Sequence, residues 1–158
     1  MSAIARVLIV DDEEDIRKVL SAYLGKINYD VDTAENGQDA INKFYKGRYD
    51  LILSDLTMPS MDGLELLNKV REYDQDILFL MITGNPSVET AVNAIRIGAY
   101  DYIEKPILFE ELKVKIERAL HTKELKGQLR TSRAFSWAIL VSIPIWLLLG
   151  ILLAKLLK

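Results

Sequence analysis

Residues 50–63 read DLILSDLTMPSMDG, and this stretch decides the fold. Its first part, LILS, is short and almost wholly apolar, which is typical of a central strand of a parallel sheet that is covered on both faces. The run ends at Asp55. Met58-Pro59 and Asp62-Gly63 then indicate a loop, and the helical pattern GLELLNKVREY follows it. Strand, loop and helix in this order form the repeating unit of an α/β domain.

The same alternation continues on both sides of this stretch, from about residue 6 to residue 122. The predicted strands are VLIV, YDVDTA, LILS, ILFLMI and YDYIE; the predicted helices are EDIRKVLSAYL, GQDAINKFYK, GLELLNKVREY, SVETAVNAIRIG and ILFEELKVKIERALH. Five strands alternating with five helices predict an α/β fold with a doubly wound, five-stranded parallel sheet. Right-handed crossovers favour the flavodoxin-like order 2-1-3-4-5, with the more polar YDVDTA at an edge.

Charge divides the 158 residues into two parts. Residues 1–121 contain 14 basic and 22 acidic side chains, whereas residues 122–158 contain six basic and one acidic. An acidic globular part argues against nucleic-acid binding, which requires a cationic surface. The absence of cysteine excludes disulfides and thiolate metal sites. The opening MSAIARVLIVDD lacks the pattern of a signal peptide.

The carboxyl-terminal part predicts a membrane anchor. We expect a globular domain over residues 1–121, a basic linker or helix extension over 122–133, a transmembrane helix over 134–154 and a short tail over 155–158. Residues 135–154 carry no charge and would span about 30 Å as a helix, close to the thickness of the hydrocarbon core of a bilayer. A buried core helix or an oligomerisation helix is the alternative.

Basic residues are more numerous before the predicted span than after it. They are Lys123, Lys126, Arg130 and Arg133 before it, and Lys155 and Lys158 after it. This excess predicts that the preceding side faces the cytoplasm. We therefore expect a single-pass protein of the inner membrane with its globular domain in the cytoplasm. Pro144 would kink the span, which a membrane helix tolerates, and Trp146 falls near mid-span, away from the interface where tryptophan is usually found.

Polar side chains follow several of the predicted strands. They are Asp11, Asp12, Asp55, Thr83 and Lys105. Because parallel strands end at one edge of a sheet, we expect these five side chains to gather there. Three carboxylates would repel one another unless a cation joined them. A lysine and a hydroxyl beside them suit a phosphoryl group. The set therefore indicates an aspartate that accepts phosphate with the help of a divalent metal.

Four motifs in this order resemble the receiver domain of two-component response regulators. They are DDEE at 11–14, SDLTMPSMDG at 54–63, TG at 83–84 and KP at 105–106. The resemblance covers roughly residues 4–121. Any one motif alone is weak, since an aspartate pair after a strand often marks only the start of a helix.

The resemblance implies a role for each residue of the site. Asp55 would be the phosphoacceptor, and Asp11, Asp12, Asp55 and the backbone carbonyl of Thr57 would hold Mg²⁺. Lys105, which precedes a cis proline in the family, would pair with a phosphoryl oxygen. The domain would then be a phosphoacceptor switch that catalyses only its own phosphorylation and dephosphorylation.

The resemblance also implies how the signal would leave the site. Thr83 would bond the phosphoryl group, Tyr102 would turn inward, and Gly84 would leave access for phosphodonors. The face formed by the fourth helix, fifth strand and fifth helix would then change shape.

The expected partners follow from the same resemblance. A sensor histidine kinase or phosphotransfer protein would donate the phosphoryl group, and a protein partner would read the altered face. A phosphorylation-dependent dimer is a further expectation, and no nucleic acid is expected.

Two other functions compete. One is a phosphate-buffering or scaffold subunit of a membrane complex. The other is an aspartyl phosphatase of the haloacid-dehalogenase type, whose D-x-D spacing the sequence Asp11-Asp12-Glu13 lacks.

Overall fold

The computed structural model describes residues 4–46 and 49–127. The chain divides into two units at residue 120, and the first of them contains the sheet. The strands are β1 (Arg6–Val10), β2 (Asp30–Ala34), β3 (Leu51–Asp55), β4 (Leu78–Thr83) and β5 (Asp101–Glu104); the helices are α1 (Glu14–Lys26), α2 (Gly37–Lys46), α3 (Gly63–Tyr73) and α4 (Val88–Ile97). A fifth helix, α5, begins at residue 109 and continues through residue 127.

The five strands form one parallel sheet in the order β2-β1-β3-β4-β5, which confirms the predicted fold and strand order. All residues of β3 and β4 are buried, as expected for central strands. β2 is the more exposed edge strand and pairs only with β1. The carboxyl ends of β1, β3 and β4 therefore lie side by side at one edge of the sheet.

Side chains of the strands alternate between two hydrophobic clusters, one on each face of the sheet. Leu8, Ile52 and Phe79 pack with residues of α2, α3 and α4. Ile9 and Leu53 pack on the other face with residues of α1 and α5. Each large aliphatic or aromatic side chain that is buried in this way contributes about 1.5–3 kcal/mol. Cover on both faces explains why LILS and ILFLMI are nearly uninterrupted apolar runs.

Local sequence sets the ends of α3 and α4. Asp62 accepts a hydrogen bond from Glu65 N at 2.8 Å and Ser87 accepts one from Thr90 N at 3.0 Å, so each satisfies a free amide at a helix start. Gly98 ends α4 with φ = 116°, a left-handed conformation that favours glycine. Arg71 donates to the Gly98 carbonyl at 2.7 Å and joins the ends of α3 and α4.

The helix bounds agree closely with the sequence patterns. α2 and α3 coincide with GQDAINKFYK and GLELLNKVREY. The last helix, predicted over 107–121, starts two residues later and is still helical at residue 127. Residues 122–127 are thus helical, and 128–133 lie outside the described residues.

No helix within residues 4–46 and 49–127 is both long and apolar enough to cross a membrane. The predicted span over 134–154 and the tail over 155–158 lie outside these ranges. The anchor therefore stays a prediction from the sequence.

Candidate functional site

Three carboxylates meet where β1 and β3 end. Asp11 follows β1, Asp12 is next to it, and Asp55 is the last residue of β3. One carboxylate oxygen from each lies within 4.8 Å of the others. Asp11 is completely buried and Asp55 is 5% exposed, whereas Asp12 is exposed to solvent. The structure therefore brings together the three acids that the sequence placed at strand ends.

Lys105 is the cation that faces this acidic cluster. Its Nζ lies 3.1 Å from Asp11 Oδ2 and 3.4 Å from Asp55 Oδ1. It is also 3.4 Å from Glu13 Oε1 at the exposed rim. The peptide bond between Lys105 and Pro106 is cis, as in the family that the motifs resemble. One lysine thus contacts three carboxylates, of which two are buried.

Burial raises the pKa of the Asp55 carboxyl above its ordinary value, and the charge on Asp11 adds to this; the attraction of Lys105 opposes both but does not outweigh them. Burial alone would lower the pKa of Lys105, but the charges on Asp11 and Asp55 raise it overall. The lysine is therefore held protonated, while negative charge at Asp55 is only partly compensated.

The donor set fits a divalent cation. Asp55 Oδ1 is buried and accepts no hydrogen bond within the described part of the chain. Lys105 Nζ, at 3.4 Å, is an ion-pair partner that lies too far away for a good hydrogen bond, so this buried oxygen keeps acceptor capacity that suits a bound ion. Asp12 adds an exposed carboxylate beside it, open to solvent. Mg²⁺ prefers oxygen ligands and retains several waters, so a half-open site of carboxylates suits it.

Thr83 and Tyr102 line one small cavity beside the acidic cluster. Thr83 ends β4 and is 4% exposed, and its Oγ1 accepts a hydrogen bond from Asn85 N at 3.2 Å. Tyr102, on β5, is half-buried. The cavity between them also borders Met81 and Ala91 and holds about 10 Å³, room for about one water. The two residues predicted to act as a switch therefore line the same small cavity.

Two glycines lie beside the cluster, and the absence of a side chain matters at each of them. A Cβ on Gly63 would lie 2.7 Å from Met81 Sδ and would overlap the backbone of Asp55. The start of α3 can therefore approach the end of β3 only because residue 63 has no side chain. A Cβ on Gly84 would be 3.8 Å from the Lys105 side chain, so its absence leaves space beside the lysine.

Two contacts of the cluster were not predicted from the sequence. Arg17 of α1 donates from Nη1 to the Asp11 carbonyl at 2.7 Å, and Glu13 contacts Lys105 as described above. Glu13 is part of the motif DDEE, and its place beside the two aspartates is the only sequence signal for its contact. Thr57, predicted to offer its carbonyl, is exposed in the loop after β3.

The topology and this edge of the sheet define a class: a doubly wound α/β domain with an acidic, lysine-containing site at the carboxyl ends of its strands. Residues 7–117 match the family described as "Response regulator receiver domain". The chain belongs to this family, and its globular part is the receiver domain of a two-component response regulator.

Individual relatives agree with this assignment. Regulatory protein AtoC of Escherichia coli (strain K12) is 38% identical over 130 residues, which are 82% of this chain and 28% of AtoC. Nitrogen assimilation regulatory protein NtrX of Azorhizobium caulinodans is 39% identical over 126 residues, 78% of this chain and 28% of NtrX. The chain thus spans under a third of the length of these two relatives.

Solved structures show the same domain both alone and within longer chains. A CheY-like receiver domain protein from Methanospirillum hungatei JF-1 superimposes with a TM-score of 0.77 at 32% identity, covering 79% of this chain and 100% of that one. NtrX from Brucella abortus gives 0.76 at 36% identity, covering 80% of this chain and 29% of that one. The Methanospirillum chain is covered completely, so that protein folds as this domain alone.

Proposed function

We propose that this chain is a phosphoacceptor switch whose acceptor is Asp55. The observation that carries the proposal is the buried Asp55 carboxylate, which lies between two other carboxylates and the ammonium group of Lys105. A carboxylate placed in this way can act as a nucleophile toward phosphorus, and the neighbouring groups suit the charge of the transferred phosphoryl group.

The reaction needs one bond formed and one broken. A carboxylate oxygen of Asp55 attacks phosphorus, and the bond from phosphorus to the donor, a histidine nitrogen in a kinase or phosphotransfer protein, breaks with the electron pair leaving on nitrogen. Asp11, Asp12, Asp55 and the Thr57 carbonyl would hold Mg²⁺, which when bound neutralises charge on the attacking and transferred oxygens. Lys105 pairs with a phosphoryl oxygen, and Gly84 leaves the donor an approach.

Phosphorylation by acetyl phosphate tests the acceptor directly. With Mg²⁺ present, the wild type should gain the mass of one phosphoryl group, and Asp55→Asn should gain none. Asp15→Asn changes another exposed acid near the site, on the first turn of α1, and should be labelled like the wild type. Equal labelling of Asp55→Asn and wild type would refute the assignment of the acceptor.

The switch would work by a population shift. The Thr83 hydroxyl, which accepts from Asn85 N in this structure, would donate its proton to a phosphoryl oxygen, and Tyr102 would turn inward toward the space that Thr83 vacates. The face made by α4, β5 and α5 would then differ in shape between the two states. The shift in population is limited by how much more strongly the phosphoryl group favours one state than the other. A protein partner that binds this face, or a phosphorylation-dependent dimer, would read the difference.

The proposal includes a membrane anchor over residues 134–154, with the receiver domain in the cytoplasm. Its support is the uncharged, apolar sequence of that segment and the basic residues before it. Anchoring would raise the effective concentration of the domain near membrane-bound kinases. Carbonate extraction of membranes should leave the full chain in the pellet, whereas a fragment of residues 1–127 should stay in the supernatant. Release of the full chain by carbonate would refute the anchor.

The output is proposed to be a protein contact and not a DNA contact. Some relatives, such as transcriptional regulatory protein ZraR of Salmonella typhimurium, are named for transcription, but only 32% of ZraR is matched here. Within the receiver domain itself the excess of acidic residues opposes binding to a phosphate backbone. Crosslinking of membrane neighbours with and without beryllofluoride should reveal a partner that depends on this phosphoryl mimic. A partner captured equally in both conditions would favour the scaffold alternative.

A further inference from the structure

Tyr102 is held in place by a second lysine that lies outside the acidic cluster. Lys115 of α5 donates from Nζ to the Tyr102 carbonyl oxygen at 2.7 Å and to Asp101 Oδ2 at 3.0 Å. The same Nζ lies 5.7 Å from the centre of the Tyr102 ring, within the range of a cation–π interaction. One ammonium group therefore contacts the backbone of Tyr102, its ring and the residue before it.

Asp101 completes this arrangement on the open side of the edge strand β5. Its Oδ1 accepts a hydrogen bond from Tyr102 N at 2.8 Å, while its Oδ2 accepts from Lys115. Both backbone polar groups of Tyr102 are thus bonded to side chains. Glu111, one turn before Lys115 on α5, is 3.6 Å from Nζ and adds a weaker, more exposed ion pair.

These contacts oppose movement of the Tyr102 ring away from the Lys115 ammonium group. A charge-assisted hydrogen bond is stronger than a neutral one, and Lys115 is only 20% exposed, so solvent weakens these contacts less than it would a fully exposed pair.

We propose that the orientation of Tyr102 in this structure is the outward one, and that Lys115 is a positioning residue that favours it and thereby sets how readily the receiver domain switches. This inference rests on the proposed phospho-switch. Loss of the ammonium group should raise the inward-to-outward population ratio about fivefold, the lower end of usual coupling between sites. Since binding of the phosphoryl mimic and the inward state favour each other, beryllofluoride should bind more tightly as well.

Fluorine NMR of residues 1–127 labelled with 3-fluorotyrosine tests this inference, with Tyr102→Phe identifying the resonance of Tyr102. Wild type with Mg²⁺ and beryllofluoride defines the position of the inward state. In Lys115→Met without beryllofluoride, the Tyr102 resonance should move toward that position, and Lys115→Arg should restore most of the wild-type position. Lys113→Met removes a charge from the same helix and should leave the resonance unmoved.

The inference fails if Lys115→Met is folded and keeps the wild-type resonance while the wild type responds to beryllofluoride. If Lys115→Met does not fold, Asp101→Asn serves instead: it keeps an acceptor for Tyr102 N, weakens the bond from Lys115 and should shift the resonance in the same direction. An unmoved resonance in Asp101→Asn then refutes the inference. A wild type that does not respond to beryllofluoride refutes the switch itself.

Discussion

Replacement of Lys105 by methionine should destabilise the metal-free receiver domain and strengthen its response to Mg²⁺. Lys105 Nζ is 3.1 Å from the fully buried Asp11 and 3.4 Å from Asp55. At an effective dielectric constant of about 20, each pair attracts by roughly 5 kcal/mol before the cost of desolvation is subtracted. Removing one partner of such a pair leaves uncompensated buried charge, which costs about 3–5 kcal/mol. We expect a loss near the lower value, since Lys105 is 19% exposed.

Urea unfolding of residues 1–127 measures this loss, with and without saturating Mg²⁺. Without the lysine, a divalent cation meets less repulsion at the three carboxylates, so Mg²⁺ should stabilise Lys105→Met by at least about 1 kcal/mol more than it stabilises the wild type. Lys69→Met is the control, because Lys69 makes an exposed pair with Glu65 at 3.3 Å and should cost no more than about 0.5 kcal/mol. A loss below about 1 kcal/mol in Lys105→Met, or equal stabilisation of both proteins by Mg²⁺, would refute this account of the site.

Two other predictions concern the fold around the site. Gly63→Ala should lower the free energy of unfolding in urea by about 1–3 kcal/mol, because the new Cβ overlaps Met81 Sδ and backbone atoms. Gly25→Ala in α1 is the control: its Cβ meets nothing within 4 Å, and it should stabilise the domain by about 0.5 kcal/mol or more. A Gly63→Ala variant more stable than Gly25→Ala would contradict this packing. Burial and the bond to Asp32 raise the pKa of Tyr49 to about 12. Because this pKa exceeds the unfolded value, the contribution of Tyr49 to stability should be lost as pH rises from about 10 to 12. Tyr49→Phe should lack this pH-dependent loss in thermal unfolding, and an identical pH profile would refute the shift.

The strand order and most element bounds could be predicted from the sequence because burial on both faces leaves a clear mark. β3 and β4 are apolar throughout, and the crossover rule leaves few topologies for such strands. The start of α5 was predicted two residues early, since Ile107 and Leu108 are apolar but precede the helix. Propensity does not resolve such boundaries, which depend on tertiary contacts.

The acidic cluster could also be predicted, because parallel strands bring their ends together whatever loops connect them. Contacts made by long side chains from other elements could not be predicted. Lys115 follows Tyr102 by 13 positions, and no spacing rule joins a strand residue to a helix residue across a connecting loop. Its bond to the Tyr102 carbonyl depends on how α5 packs beside β5, which only the three-dimensional structure gives.

The central claim, that Asp55 accepts the phosphoryl group, is tested most directly by locating the modified residue. Wild-type protein phosphorylated by acetyl phosphate with Mg²⁺ is treated with borohydride, which reduces an aspartyl phosphate to homoserine, and its peptides are then analysed by mass spectrometry. We expect homoserine at position 55 and unmodified Asp11 and Asp12. Homoserine at either of those two positions, or at any position other than 55, would contradict this assignment.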